Sequence, residues 1–323
     1  MIKKVIVAAT AGTALIFGAS VHAEAENECS EIGFAQMPWT GVSGKTETAA
    51  WMMEELGYDV DIGTADVAIV YQSVANGTHD VSFGLWLPIA RTPIRKHMLD
   101  GDINIVGTNI EGAQLTLAVP DYVQEAGVDH HSDLDDFRDR FDGKIYGLEP
   151  GTDNNERIKN MIADDAYGLG DWELVESSEA GMLAQVQRKV AKEEWVAFVG
   201  WTPHPMNLNI DMSFVDGGDE YWGPDGGRAT VHTFVNQGFA WRCLNVGQFL
   251  KNYRFTLQEQ SKMAKYIIND EMEYAEAGRR LIREKPELLE RWFGQGGMYQ
   301  DGPVRGADGE RNAVDVIRSA LDN

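Results

Sequence analysis

The sequence predicts an α/β protein with largely parallel sheets. Three observations carry that prediction: strand-like and helix-like stretches alternate from Cys29 onward, the connections between them are short, and no internal repeat or Pro/Ser-rich linker interrupts them. IGFAQ (32–36) reads as the first strand. Thr46 to Leu56 contains helix formers throughout and stops at Gly57. YDVDIG (58–63) alternates as a strand does, VAIVYQSVANG (67–77) reads as a helix ending at Gly77, and DVSFGLW (80–86) as a strand. KIYGLE (144–149) is a strand followed by the loop PGTDN, after which Asp153 or Asn154 caps a helix through Ile162. ELVESS, EAGMLAQVQRKVAK and EWVAFVGW then repeat strand, helix, strand, and from Phe249 the chain reads as nearly continuous helix. If the chain forms two lobes, strands must cross between them, because no flexible linker is present.

Composition narrows the function classes. With 323 residues, 43% of them apolar, the chain can bury a substantial core. MIKKVIVAATAGTALIFGASVHA (1–23) has a basic start at Lys3 and Lys4, a short apolar run and a small-x-small site at Val21–Ala23, so it reads as a cleavable export signal. A periplasmic location follows from that reading. Its removal takes two lysines and no acids, which moves the net charge from −23 to −25. A surface this acidic repels nucleic acid and anionic lipid headgroups. The two cysteines, Cys29 and Cys243, read most simply as one disulfide in an exported chain, with two free buried thiols as the alternative.

Catalytic patterns are absent from the sequence. GVSGKT (41–46) has the tail of a phosphate loop, but Trp39 stands where the motif requires its first glycine. There is no GxSxG and no HExxH, and no cofactor motif. His130-His131 lies in an acidic segment that reads as a helix entry through Ser132 or Asp133. The loop DGGDEYWGPDGG (216–227) offers Asp216, Asp219, Glu220 and Asp225 as hard oxygen donors, so a structural Ca²⁺ is weighed there against a plain solvated turn.

Tryptophan is the informative residue. Trp51, Trp172, Trp195, Trp241 and Trp292 fit core packing. Trp39, Trp86 and Trp201 instead stand where strands hand over to loops, beside proline or threonine, in PWT, LWLP and VGWTPHP. Ligands of open α/β sheets sit beyond the carboxyl ends of the strands. Several indole faces converging there attract a compact, weakly hydrated cation, at about 0.5–2 kcal/mol per contact, with quaternary ammonium groups as the usual guests. His204, held between two prolines beside Trp201, reads either as a ligand contact or as a structural residue of the turn.

PWTG, SFGLWLP, GKIYGLEPG, VESSEAGMLAQV, VGWTPHPMN, GGDEYWGP and ATVHT resemble the periplasmic substrate-binding proteins of ABC importers for choline and glycine betaine, over nearly the whole mature chain. The resemblance implies a two-lobed class II binding-protein fold with ligand in the cleft, lobe I being 24–112 plus 234–323 and lobe II 113–233. It implies an aromatic box of Trp39, Trp86 and Trp201 for a trimethylammonium group, and pairs Cys29 with Cys243. It also implies delivery to a permease with a cytoplasmic ATPase, by a protein expected to act as a monomer without a cofactor. An exported enzyme or a sensor subunit acting on the same ligand class is the alternative. Three positions depart from the choline binders: Gly41 replaces an Asp, Leu115 a Tyr and Thr152 an Asn. Trp222 and Glu111 are the expected substitutes, Glu111 because residues 111, 113 and 115 share a face of an extended strand. Losing the Asp favours trimethylamine N-oxide, with choline and glycine betaine next; a protonated Glu111 would donate to the N-oxide.

Overall fold

The computed structural model describes residues 29–322; the expected leader, 1–23, lies outside the described residues. The first half alternates as the sequence indicates. β1 (Glu31–Gln36) leads to α1 (Thr40–Glu55), β2 (Asp59–Thr64), α2 (Val67–Ala75), β3 (Val81–Leu87) and α3 (Arg91–Asp100). The long β4 (Ile103–Pro120) follows. Then come β5 (Lys144–Tyr146), α4 (Asp153–Ala163), β6 (Glu173–Val175), α5 (Glu179–Val190), β7 (Ala197–Thr202), β8 (Met212–Phe214) and β9 (Arg228–Asn236).

Three readings need correction. Trp241, expected in the core, is exposed. α1 starts six residues before the expected Thr46, with Trp39 in an extended conformation at its N-cap. Glycines 41 and 44 weaken the local helix signal by roughly 1 kcal/mol each, and tertiary packing overrides it. A Cβ at Gly44 would stand 3.0 Å from Ile267 Cδ1 and 3.1 Å from Met263 Cε, so the glycine admits a neighbouring helix. The C-terminal helical region is also not continuous. It divides into α6 (Leu244–Asn252), α7 (Leu257–Ile268), α8 (Tyr274–Glu284), α9 (Glu287–Phe293) and α10 (Ala313–Leu321). Thr256 opens α7 with a capping box: its hydroxyl accepts from Glu259 N at 3.2 Å, and Glu259 Oε2 accepts from Thr256 N at 2.9 Å.

All nine strands of the described residues join one sheet in the order β2-β1-β3-β9-β4-β7-β5-β6, with β8 against β4. The flanks are parallel, β1 with β2 and β3, β5 with β6 and β7. The centre is antiparallel, because β4 and β9 run against β3, β7, β8 and each other. These two strands are the crossing strands. Along β4, Ile110 and Ala113 pack in a core built from residues of both chain ends, whereas Leu115 and Leu117 pack in a second core built from residues 115–222 together with Ile89. Ala229, Val231 and Val235 of β9 return to the first core. A third cluster, from Ala35 to Phe234, covers the other face of the first lobe's sheet beneath α2 and α3.

Cys29 and Cys243 form a disulfide with Cα atoms 5.4 Å apart and a sequence separation of 214. It ties the start of β1 to the entry of α6. Reducing it, or replacing both cysteines by serine, is expected to lower stability by about 3–5 kcal/mol on the loop-entropy scale, read as a drop in urea midpoint. In the first lobe, burial raises the Glu259 carboxyl, but the Arg291 guanidinium, the Thr256 N–H and Lys285 outweigh it and hold it at about 2. The contacts are Arg291 Nη1 at 2.8 Å and Lys285 Nζ at 3.4 Å. A carboxyl depressed in the folded state stabilises above its ordinary value of 4.5, and that contribution is lost as pH falls from about 5 to about 2. Glu259→Gln is expected to cost about 2 kcal/mol at pH 7 and to flatten that acid limb in a pH series of urea unfolding curves.

Candidate functional site

The structure brings three of the singled-out tryptophans to one cavity. Trp86 and Trp201 are the penultimate residues of β3 and β7, and each strand passes into a cis proline, Leu87–Pro88 and Thr202–Pro203. Trp39 reaches the cavity from the N-cap of α1. Leu115 lines it too, directly opposite Trp201 in the β4–β7 register. The remaining apolar wall includes Ile89, Ile110, Leu148 and Tyr71, the last a ring from α2. The cavity measures about 50 Å³, where a single water needs on the order of 10–15 Å³, so it suits a ligand of a few heavy atoms.

Polar groups are few and specific. Trp39 Nε1 donates to Glu149 Oε1 at 2.6 Å, and Thr40 Oγ1 donates to Glu179 Oε1 at 2.5 Å. Both bonds cross from α1 in the first lobe to loop or helix residues of the second. Burial raises the Glu149 carboxyl, the Trp39 N–H opposes that, and Glu179 and Asp66 add to it. Glu179 lines the cavity, as do Asp153 and Asn154 at the start of α4. Burial pushes Asp153 up to about 7 despite the pull of Arg157. Lys45 of α1 also lines the cavity, and burial lowers its ammonium to about 7.

Four expected site residues fall elsewhere. Trp222 is fully buried in the second-lobe core, with its Nε1 unpartnered, and does not line the cavity. Glu111 lies in a separate groove with Arg254, Phe255 and Arg291. Its misplacement has a backbone cause: Gly112 adopts φ +73°, and the β4–β9 register shifts between Ile110 and Ala113, so the strand's period of two breaks between 111 and 115. Thr152 is buried at the N-cap of α4, donating its hydroxyl to Glu149 O at 3.1 Å, while the next two residues face the cavity. His204 stands behind the box. Its ring packs on Trp201 at 4.7 Å between centroids, and its Nε2 lies 3.4 Å from Glu179 Oε1. The acidic loop is likewise not gathered into a cation cage. Among the described residues, no three His, Cys, Asp or Glu side chains converge to hold a metal ion. Asp219 of that loop accepts from Gly226 N at 3.0 Å, and Asp216 O accepts from His131 N at 2.9 Å.

The sequence reading missed Lys45, Tyr71, Asp153, Asn154, Glu179 and Gln260 as lining residues. A signal existed for two of them: Lys45 belongs to GVSGKT, set aside as an incomplete phosphate loop, and Glu179 to the motif VESSEAGMLAQV.

The OpuAC model, the substrate-binding domain of ABC-type glycine betaine transport systems, matches residues 30–284. The chain belongs to that family. A structure similar to this OpuAC chain is an ABC-transporter choline-binding protein in complex with choline, with 35% identity, a TM-score of 0.84, and 91% of this chain and 99% of that one covered. The unliganded semi-closed form of a choline-binding protein gives 34% identity and a TM-score of 0.78, over 92% and 100% of the two chains. The glycine betaine/carnitine transport binding protein GbuC of Listeria monocytogenes is 27% identical over 159 residues, 49% of this chain and 51% of that protein. These relatives are transporter binding proteins. Among the described residues of this OpuAC chain, no helix is long and apolar enough to cross a membrane.

Two outcomes follow from the placements. A chelator is expected to leave the melting midpoint unchanged, measured by scanning calorimetry with and without EDTA. Glu111→Ala is expected to leave the affinity for any cavity ligand within about twofold, read by isothermal titration.

Proposed function

We propose that the protein captures a small methylated amine in the Trp39, Trp86 and Trp201 box and delivers it to an inner-membrane permease driven by a cytoplasmic ATPase. It works as an exported, periplasmic monomer and makes or breaks no bond. The lobes, 24–112 plus 234–323 and 113–233, close on the ligand as a hinge. The observation that supports this reading is the convergence of three indoles and the Tyr71 ring on one small apolar cavity. Such walls favour a compact cation of low hydration over a sugar or peptide, which would need many hydrogen-bond partners. Trimethylamine N-oxide heads the candidate ligands, followed by choline and glycine betaine. All carry the methylated nitrogen that the box would hold, and the first needs a donor for its single oxygen.

Isothermal titration with trimethylamine N-oxide, glycine betaine, carnitine and choline tests the reading. Micromolar binding, near −8 kcal/mol, is expected for at least one of them. Trp201→Ala is expected to weaken it by about 2 kcal/mol, or roughly thirtyfold, with the fold retained by circular dichroism. Binding no tighter than millimolar for all four would sink the proposal.

A further inference from the structure

Lys45 is the sole cation among the residues that line the cavity. It is 2% exposed, carried inward by α1. Its Nζ donates to Asn109 Oδ1 at 2.8 Å and to Phe83 O at 3.2 Å. Lys45 itself lines the cavity, as do Gly84 and Ile110, the residues next in sequence to those two acceptors. An ammonium has three N–H donors, and the two acceptors it meets are neutral. No carboxylate forms an ion pair with it among the described residues, and burial alone lowers its pKa to about 7. A buried charge without a counter-charge is costly, and a negative group supplied from outside relieves it.

The two acids on the cavity wall do not play that part. Glu179 accepts from Thr40 N at 3.3 Å and from Thr40 Oγ1, and stands beside His204. Asp153 is pushed toward its neutral form by burial and has Arg157 for a neighbour.

We propose that Lys45 selects the ligand by net charge, binding the oxygen end of a zwitterionic or dipolar methylated amine, a carboxylate or an N-oxide, and disfavouring a methylated amine of net positive charge. The inference rests on the methylated-amine reading of the box and adds to it the polar end that the indoles do not provide. In a cavity of this size, lined by Lys45 itself, no part of a bound ligand is far from that side chain. A cationic ligand therefore faces a like charge at short range, or binds only after Lys45 has lost its proton. A zwitterion presents an opposite charge at the same place.

The test is isothermal titration of glycine betaine, trimethylamine N-oxide and choline against the wild type, Lys45→Met and Lys45→Gln, each checked for folding by its thermal midpoint. The wild type is expected to bind glycine betaine or trimethylamine N-oxide at least about tenfold tighter than choline. Both variants are expected to lose at least about tenfold for that ligand, while choline stays within about threefold or tightens. A Lys45 that merely ties α1 to β3 and β4 would lower the midpoint and weaken all three ligands alike; an unchanged preference ratio in a folded variant overturns the proposal. Tightest wild-type binding of choline also overturns it, whether or not the variants fold. Binding of none of the three by the wild type is a different failure: it removes the box reading itself, and this inference with it.

Discussion

The antiparallel pairing of β4 with β9 is the constraint on which the rest of the structure hangs. β4 is 18 residues long and passes through both cores; β9 runs back against it from Arg228, opposite Gln114, to Asn236, opposite Ile103. Each half of the sheet is then built outward from this pair, β3 on β9 and β7 on β4. Trp86 lies opposite Val231 of β9 and Trp201 opposite Leu115 of β4, so the register of the central pair sets where two of the three indoles stand. A slip of one residue would turn both rings to the opposite face. The pair is also irregular where it needs to be. At Gly107 a side chain would meet Lys251 O at 3.0 Å, so a glycine there lets α6 approach the crossing strand.

The sequence was most legible where periodicity and punctuation agree. The strand-helix alternation up to Gly77, the strand of Trp86, the helix after PGTDN and the disulfide all emerge from local signals, the last because only two cysteines exist. Legibility ended where tertiary contacts decide. α1 begins at Thr40 because α7 packs onto Gly44, which no local propensity reveals. Glu111 was placed by a period of two that Gly112 interrupts. An indole in a glycine-rich loop gives no sign of its burial, so the sequence alone points Trp222 at the cavity wall while the structure holds it in the core. That Trp39, Trp86 and Trp201 share one cavity is legible because each sits at an element boundary, where a neighbouring proline or threonine marks the turn. Lys45 left no comparable mark: a lysine in mid-helix ordinarily faces solvent, and only the packing of α1 against β3 and β4 turns it inward.

The site combines opposing electrostatic demands in a small volume. Indole faces attract positive charge, whereas a buried ammonium repels it. Two carboxyl groups, Glu149 and Asp153, are held above their ordinary range mainly by burial. Such strained protonation states are maintained by the surrounding packing and concentrate at functional sites. The groove at Glu111 is lined by Arg254 and Arg291, and the Arg291 guanidinium is already in contact with the Arg254 carbonyl and Glu259.

Trp39 belongs to two assemblies at once. Its ring is part of the cavity wall, while its Nε1 is bonded across the cleft to Glu149, and the next residue, Thr40, is bonded across the cleft to Glu179. The first lobe therefore carries Trp39 on α1, and the second carries Trp201 on β7. Any separation of the lobes breaks these two bonds and pulls the two indoles apart in the same movement. On the proposed reading, unloading would then need no dedicated expulsion step, because the opened protein would no longer possess the enclosure that holds the ligand.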